Sequence, residues 1–144
     1  MSISYEFDPC DISKARELQQ LEVEGSYDKP DNEDVRSIVN GITGRKGRVH
    51  LHFGEPLTGE FENAKEVAEH LDVAILSGYK SFATGPVAAH LLDKSVDIDM
   101  DKAENKTAME YLKSRLVGLS QQEQDKLLSM YATAYLNQQA SVNG

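Results

Sequence analysis

The run Gly44-Arg45-Lys46-Gly47-Arg48 sets three cations on a turn rich in glycine. Closely spaced cations and free backbone donors are what a phosphate needs. Arg45, Lys46 and Arg48 are therefore the candidate anion-binding residues. The run is not a Walker loop, because that spacing and its trailing Ser or Thr are missing. A plainer role is a solvated turn whose cations complement the end of the preceding helix. Directly after it, His50 and His52 alternate with Val49, Leu51 and Phe53. On a strand, both imidazoles project from one polar face. Imidazole titrates near neutrality, so either ring could act as a base. No nucleophile with a positioning carboxylate stands beside them, and no catalytic residue is assigned. Two histidines, with Glu55 nearby, fall short of the ligand set that a metal requires, so no metal or other cofactor is expected.

Asp97-Ile98-Asp99-Met100-Asp101 opens like a calcium loop. It then fails, with Lys102 in place of the glycine and Ala108 in place of the closing glutamate. It reads as a solvated loop leading into a helix cap. Tyr111, Tyr131 and Tyr135 fall at helical spacings and read as edges of a core.

The elements that position these groups follow from periodicity. Residues 47–54 give the clearest strand, bounded by glycines and stopped by Pro56, which cannot donate to a ladder. Ile3, Tyr5 and Phe7 alternate with polar residues, so a second strand is expected over about 2–8. It opens almost at the first residue, and we expect Met1 to stand in for a longer upstream sequence. Asp8 and Pro9 suit a helix start, with Ile12, Ala15, Leu18 and Leu21 on one face and Gly25 at the end. Val35, Ile38, Val39 and Ile42 mark a second helix ending at Gly44. Asn63-Ala64-Lys65-Glu66 caps a third, whose apolar face runs from Val67 to Phe82 until Gly85-Pro86 interrupts it. A short helix over 87–92 follows. Two more start at the boxes 101–104 and 120–123 and end near Val117 and Gln138. The fold class expected is helix-rich α+β, with two short strands covered by about six helices. The divisions expected are 1–92, an appended helical pair at 93–138, and a polar tail at 139–144 that frays.

The totals exclude several functions. The 144 residues carry 24 acidic and 15 basic groups, for a net charge of −9. Such a surface repels a phosphate backbone, so nucleic acid is not an expected partner. No apolar run approaches the roughly 20 residues of a membrane-spanning helix. Cys10 is the single cysteine, which excludes an internal disulfide and fits a reducing compartment.

Three segments together carry a resemblance: residues 3–11, residues 46–56, and the helix from Asn63 to Phe82. They look like the C-terminal part of bacterial glycerolipid acyltransferases, which acylate glycerol-3-phosphate or lysophosphatidic acid. The resemblance covers roughly the first 90 residues. In that family a catalytic His-x4-Asp motif and a phosphate-binding Glu-Gly-x-Arg motif come earlier in the chain. Neither is present here. The residues five positions after His50, His52, His70 and His90 are Glu55, Leu57, Ile75 and Ser95, and Glu24-Gly25-Ser26 is followed by Tyr27. The resemblance implies the C-terminal portion of such an enzyme, inactive alone. Its partner would be the upstream catalytic segment of the same enzyme, and its substrates an acyl thioester and a glycerophosphate. The intact enzyme would sit in the cytoplasm at the inner face of the membrane. The isolated chain is expected either to form a homodimer through an exposed sheet edge or to fold a helix over that edge. The other reading is a free-standing acidic helical module for protein interaction.

Overall fold

The computed structural model of the chain describes residues 1–93 and 95–143. Within them lie two strands and six helices: β1 (Ser2–Tyr5), α1 (Ile12–Glu24), α2 (Glu33–Thr43), β2 (Val49–His52), α3 (Ala64–Gly78), α4 (Thr84–Leu91), α5 (Ala103–Leu116) and α6 (Gln121–Asn143). This is the helix-rich α+β class expected. Gly144, at the end of the expected polar tail, and Lys94 lie outside the described residues.

β1 and β2 pair antiparallel, with Ser2 opposite His52, Ile3 opposite Leu51, Ser4 opposite His50 and Tyr5 opposite Val49. The regular ladder is shorter than the expected 2–8 and 47–54. Two backbone bonds continue the pairing past it, Glu6 N to Arg48 O at 2.9 Å and Phe7 N to Lys46 O at 3.0 Å. Opposed residues share a face, so Ser2, Ser4, His50 and His52 form one face and Ile3, Tyr5, Val49 and Leu51 the other.

The inward face is the polar one. Ser4 is 1% exposed, whereas Val49 is 48% and Leu51 50% exposed. The helices therefore cover both strands on their polar face, while the apolar side chains Ile3, Val49 and Leu51 stay exposed. Small side chains explain the choice. Ser2, Ser4 and the glycine ending α3 let another backbone approach closely. The Ser4 hydroxyl accepts from Lys80 N at 3.0 Å, and Thr84 Oγ1 donates to Glu6 O at 3.1 Å. The end of α3 is held from the other side by α6. Gln138 Nε2 donates to Leu76 O and Tyr79 O, and Ser81 Oγ donates to Gln138 Oε1 at 2.7 Å. These bonds satisfy carbonyls that a helix terminus leaves open.

The hydrophobic core lies among α1, α4, α5 and α6. Ala15, Val87, Ala88, Ala89, Leu112, Leu127 and Ala132 are fully buried in it. The helices beyond residue 93 thus supply the same core as α1 and α4. The alanines keep α4 slim enough to pack between its neighbours.

Several element ends differ from expectation. α1 is capped by Asp11, whose carboxylate accepts from Ser13 N at 2.9 Å, and not by Asp8. The Asp8 carbonyl faces the helices instead, accepting from the hydroxyls of Tyr111 at 2.9 Å and Tyr131 at 2.7 Å. Gly85-Pro86 does not interrupt a helix but lies in the first turn of α4, where a proline has no helical bond to lose. α5 begins after Lys102 with no side-chain cap, so the box expected at 101–104 is not built. The expected frayed tail continues α6 as helix through Asn143. Two boxes stand as expected. Asn63 accepts from Lys65 N and Glu66 N, and Ser120 and Glu123 cap each other reciprocally.

Candidate functional site

The turn between α2 and β2 brings Arg45, Lys46 and Arg48 onto one stretch of backbone but sends their charges apart. Gly47 shapes this turn. Its φ is +63°, and an added Cβ would lie 2.6 Å from a carbon of the Phe7 ring. A side chain there would meet both backbone strain and an aromatic wall. Arg45 stacks over the Phe7 ring, 4.1 Å from its centroid. Lys46 folds back to the C-terminus of α2 and donates to the Gly41, Ile42 and Gly44 carbonyls. That is the role of a cation at a negative helix end. Arg48 pairs with Glu6 at 2.9 Å, and its backbone N–H binds the other Glu6 oxygen at 2.9 Å. The hydrogen bonds from Arg48 hold the Glu6 carboxyl below its ordinary value, against a weaker effect of burial. The three cations therefore have three separate partners.

His50 and His52 are half-buried on the inward face of the sheet. The His52 ring lies directly against the α3 terminus. A Cβ built on Gly78 would come within 2.0 Å of His52 Cδ2. The two imidazoles are thus part of the packing between the sheet and the end of α3. His90 Nδ1 lies 3.0 Å from Val96 O, and the His70 ring packs edge-on to Phe61 at 5.8 Å. Among the described residues, no group of three or more His, Cys, Asp or Glu side chains could hold a metal. Asp99 Oδ1 accepts from Asp101 N, which makes the 97–101 segment a self-bonded loop. Cys10 is a partly buried free thiol. Burial first, and the Asp8 charge second, push its thiol up to about 12, so the reactive thiolate is suppressed.

A cavity of another kind lies elsewhere. A cleft of about 700 Å³ lies between the start of α1, one side of α2, the Thr43–Arg45 turn and the end of α5. Arg45 reaches it, joined by Arg16, Arg36 and Arg115. Sequence reasoning missed the last three. They lie on three different helices, and no local spacing marks them as a group.

Asp8 is the other unusual group. Burial raises its carboxyl above the ordinary 3.8, with Lys46 opposing. A carboxyl whose folded pKa is raised favours the folded state below its unfolded pKa. That benefit is lost as pH rises through the folded pKa. At neutral pH the charge is therefore a burden. Asp8→Asn is expected to be more stable than the parent chain near neutrality and equal to it at about pH 3, below both pKa values. Urea unfolding at the two pH values reads this directly. A variant less stable at neutral pH would show that the charged form is held by a bond stronger than its burial.

Comparison of the chain with family models, with curated proteins and with solved structures finds no match. Among the described residues, no helix is long and apolar enough to cross a membrane.

Proposed function

We propose that this chain is the C-terminal portion of a phospholipid-biosynthesis acyltransferase. The intact enzyme moves an acyl group from a thioester to a glycerophosphate acceptor, at the inner face of the membrane. The catalytic residues lie on an upstream segment, and this portion completes the sheet and walls the substrate site. One observation carries the reading beside the resemblance. The apolar face of the sheet, Ile3, Val49 and Leu51, is left uncovered while its polar face is packed. An apolar sheet face is normally the one buried. The missing layer is therefore supplied from outside these residues, and an upstream segment of the same enzyme is the occupant proposed. In the isolated chain an exposed sheet edge recruits a second copy.

The test has two arms. Purified chain is assayed with acyl thioester and either glycerol-3-phosphate or lysophosphatidate, and no turnover is expected. The coding sequence upstream of Ser2 is read for an in-frame His-x4-Asp motif, which is expected there. Turnover that His50→Ala or His52→Ala abolishes would move catalysis onto β2 and overturn the proposal. A second reading, an acidic interaction module, is favoured by α2. There Val35, Ile38, Val39 and Ile42 form an exposed apolar stripe, with Ile42 73% exposed. Upstream sequence without the motif would select that reading.

A further inference from the structure

The arginine-lined cleft has the chemistry of a ligand site. Its four arginines face two carboxylates, Asp11 and Glu33, in a chain whose net charge is −9. Both carboxylates are already bonded. Asp11 accepts from Ser13 N and Oγ, and Glu33 accepts from the Tyr27 hydroxyl. Arg16 is also bonded, to Glu123 at 3.0 Å. The other three arginines retain donors. Arg115 donates through Nη2 to Cys10 O, but its Nε is buried with no partner among the described residues. Arg36 has no side-chain hydrogen bond or ion pair among the described residues. Arg45 offers its π-face to Phe7, which leaves the in-plane N–H groups for an acceptor.

A buried guanidinium N–H without an acceptor is costly and calls for one. With Glu123 on Arg16, three carboxylates leave the four arginines a surplus of one positive charge, which favours an anion. Guanidinium forks bind phosphate oxygens two at a time, which favours a phosphate further. The cleft is also far larger than a bare phosphate. Its volume falls within the roughly 300–1,000 Å³ of small-molecule sites. Ile12, Tyr111, Val117 and Leu119 give it an apolar wall. We infer that the cleft binds a phosphomonoester, with the phosphate among Arg36, Arg45 and Arg115 and an organic body against the apolar wall. The inference goes beyond the acyltransferase reading and does not rest on it.

The probes are phenyl phosphate, inorganic phosphate and benzoate, titrated into the whole chain by calorimetry. Phenyl phosphate is expected to saturate and to bind at least tenfold more tightly than either of the others. Arg36→Gln removes an exposed guanidinium without a structural bond and is expected to weaken phenyl phosphate about tenfold, or about 1.4 kcal/mol. Arg115→Gln is expected to weaken it further, with circular dichroism checking the fold. Arg48→Gln lies outside the cleft and should change nothing. Vesicles containing phosphatidic acid separate the two sources of the phosphate. Pelleting with the vesicles, reversed by phenyl phosphate, identifies a lipid headgroup in the cleft. No pelleting, with phenyl phosphate still bound, identifies a soluble ligand. No saturable binding, equal binding of benzoate, or binding indifferent to Arg36→Gln in the folded chain overturns the inference.

Discussion

Tyr131→Ala is expected to destabilise the chain by about 3–5 kcal/mol, the range for removing a large buried aromatic side chain. Whole domains are stable by only about 5–15 kcal/mol, so this single change should bring the chain close to unfolding. The reason is its place in the fold. Tyr131 is 7% exposed and packs edge-on to Tyr111, with ring centroids 6.3 Å apart. Tyr111 in turn packs at a tilt against Phe7, with centroids 4.8 Å apart. This ladder joins the strand layer to α5 and α6, and both hydroxyls close on the Asp8 carbonyl where the chain leaves β1. Tyr131→Phe separates the two contributions. It keeps the ring and removes one donor, while Tyr111 continues to serve Asp8. A loss of about 1 kcal/mol is expected, the net worth of an ordinary hydrogen bond. Urea unfolding of both variants measures the difference. Equal losses would mean that the hydroxyl, and not the packed ring, holds the junction.

Local features were legible in the sequence. The reciprocal Ser120–Glu123 cap and the Asn63 cap form within one turn of helix, so neighbouring residues specify them completely. What distant residues decide was not legible. Asp8 and Asp11 both flank Pro9, and either could cap a helix. The choice falls to Asp11 because tyrosines 103 and 123 residues away take the Asp8 carbonyl. The alternation in β2 separates two faces but does not say which turns inward. The same limit applies to the candidate site. Arg45 was visible in its basic run, but Arg16, Arg36 and Arg115 meet it only after α1, α2 and α5 assemble. Conversely, the neighbours Lys46 and Arg48 are close in sequence but are drawn to the α2 carbonyls and to Glu6.

Gly78→Ala tests the reversed sheet most sharply. The new methyl would start 2.0 Å from His52 Cδ2 and 2.5 Å from Cγ, well inside any real contact. Either the His52 ring or the end of α3 must move. The helix end is not free to do so, since Gln138 bonds the carbonyls of Leu76 and Tyr79 from the far side. The ladder fixes the β2 backbone to β1, so the ring can answer only by turning about its side-chain bonds. Overpacking of this kind costs about 1–3 kcal/mol. If the imidazole is the obstacle, His52→Ala should relieve it. The double variant is then expected to recover most of the loss, giving a coupling of about 1–3 kcal/mol between two residues in contact. An additive result would show that His52 does not lie over Gly78. The polar face of the sheet would then not be packed against α3, and the uncovered apolar face would lose its meaning as a docking surface.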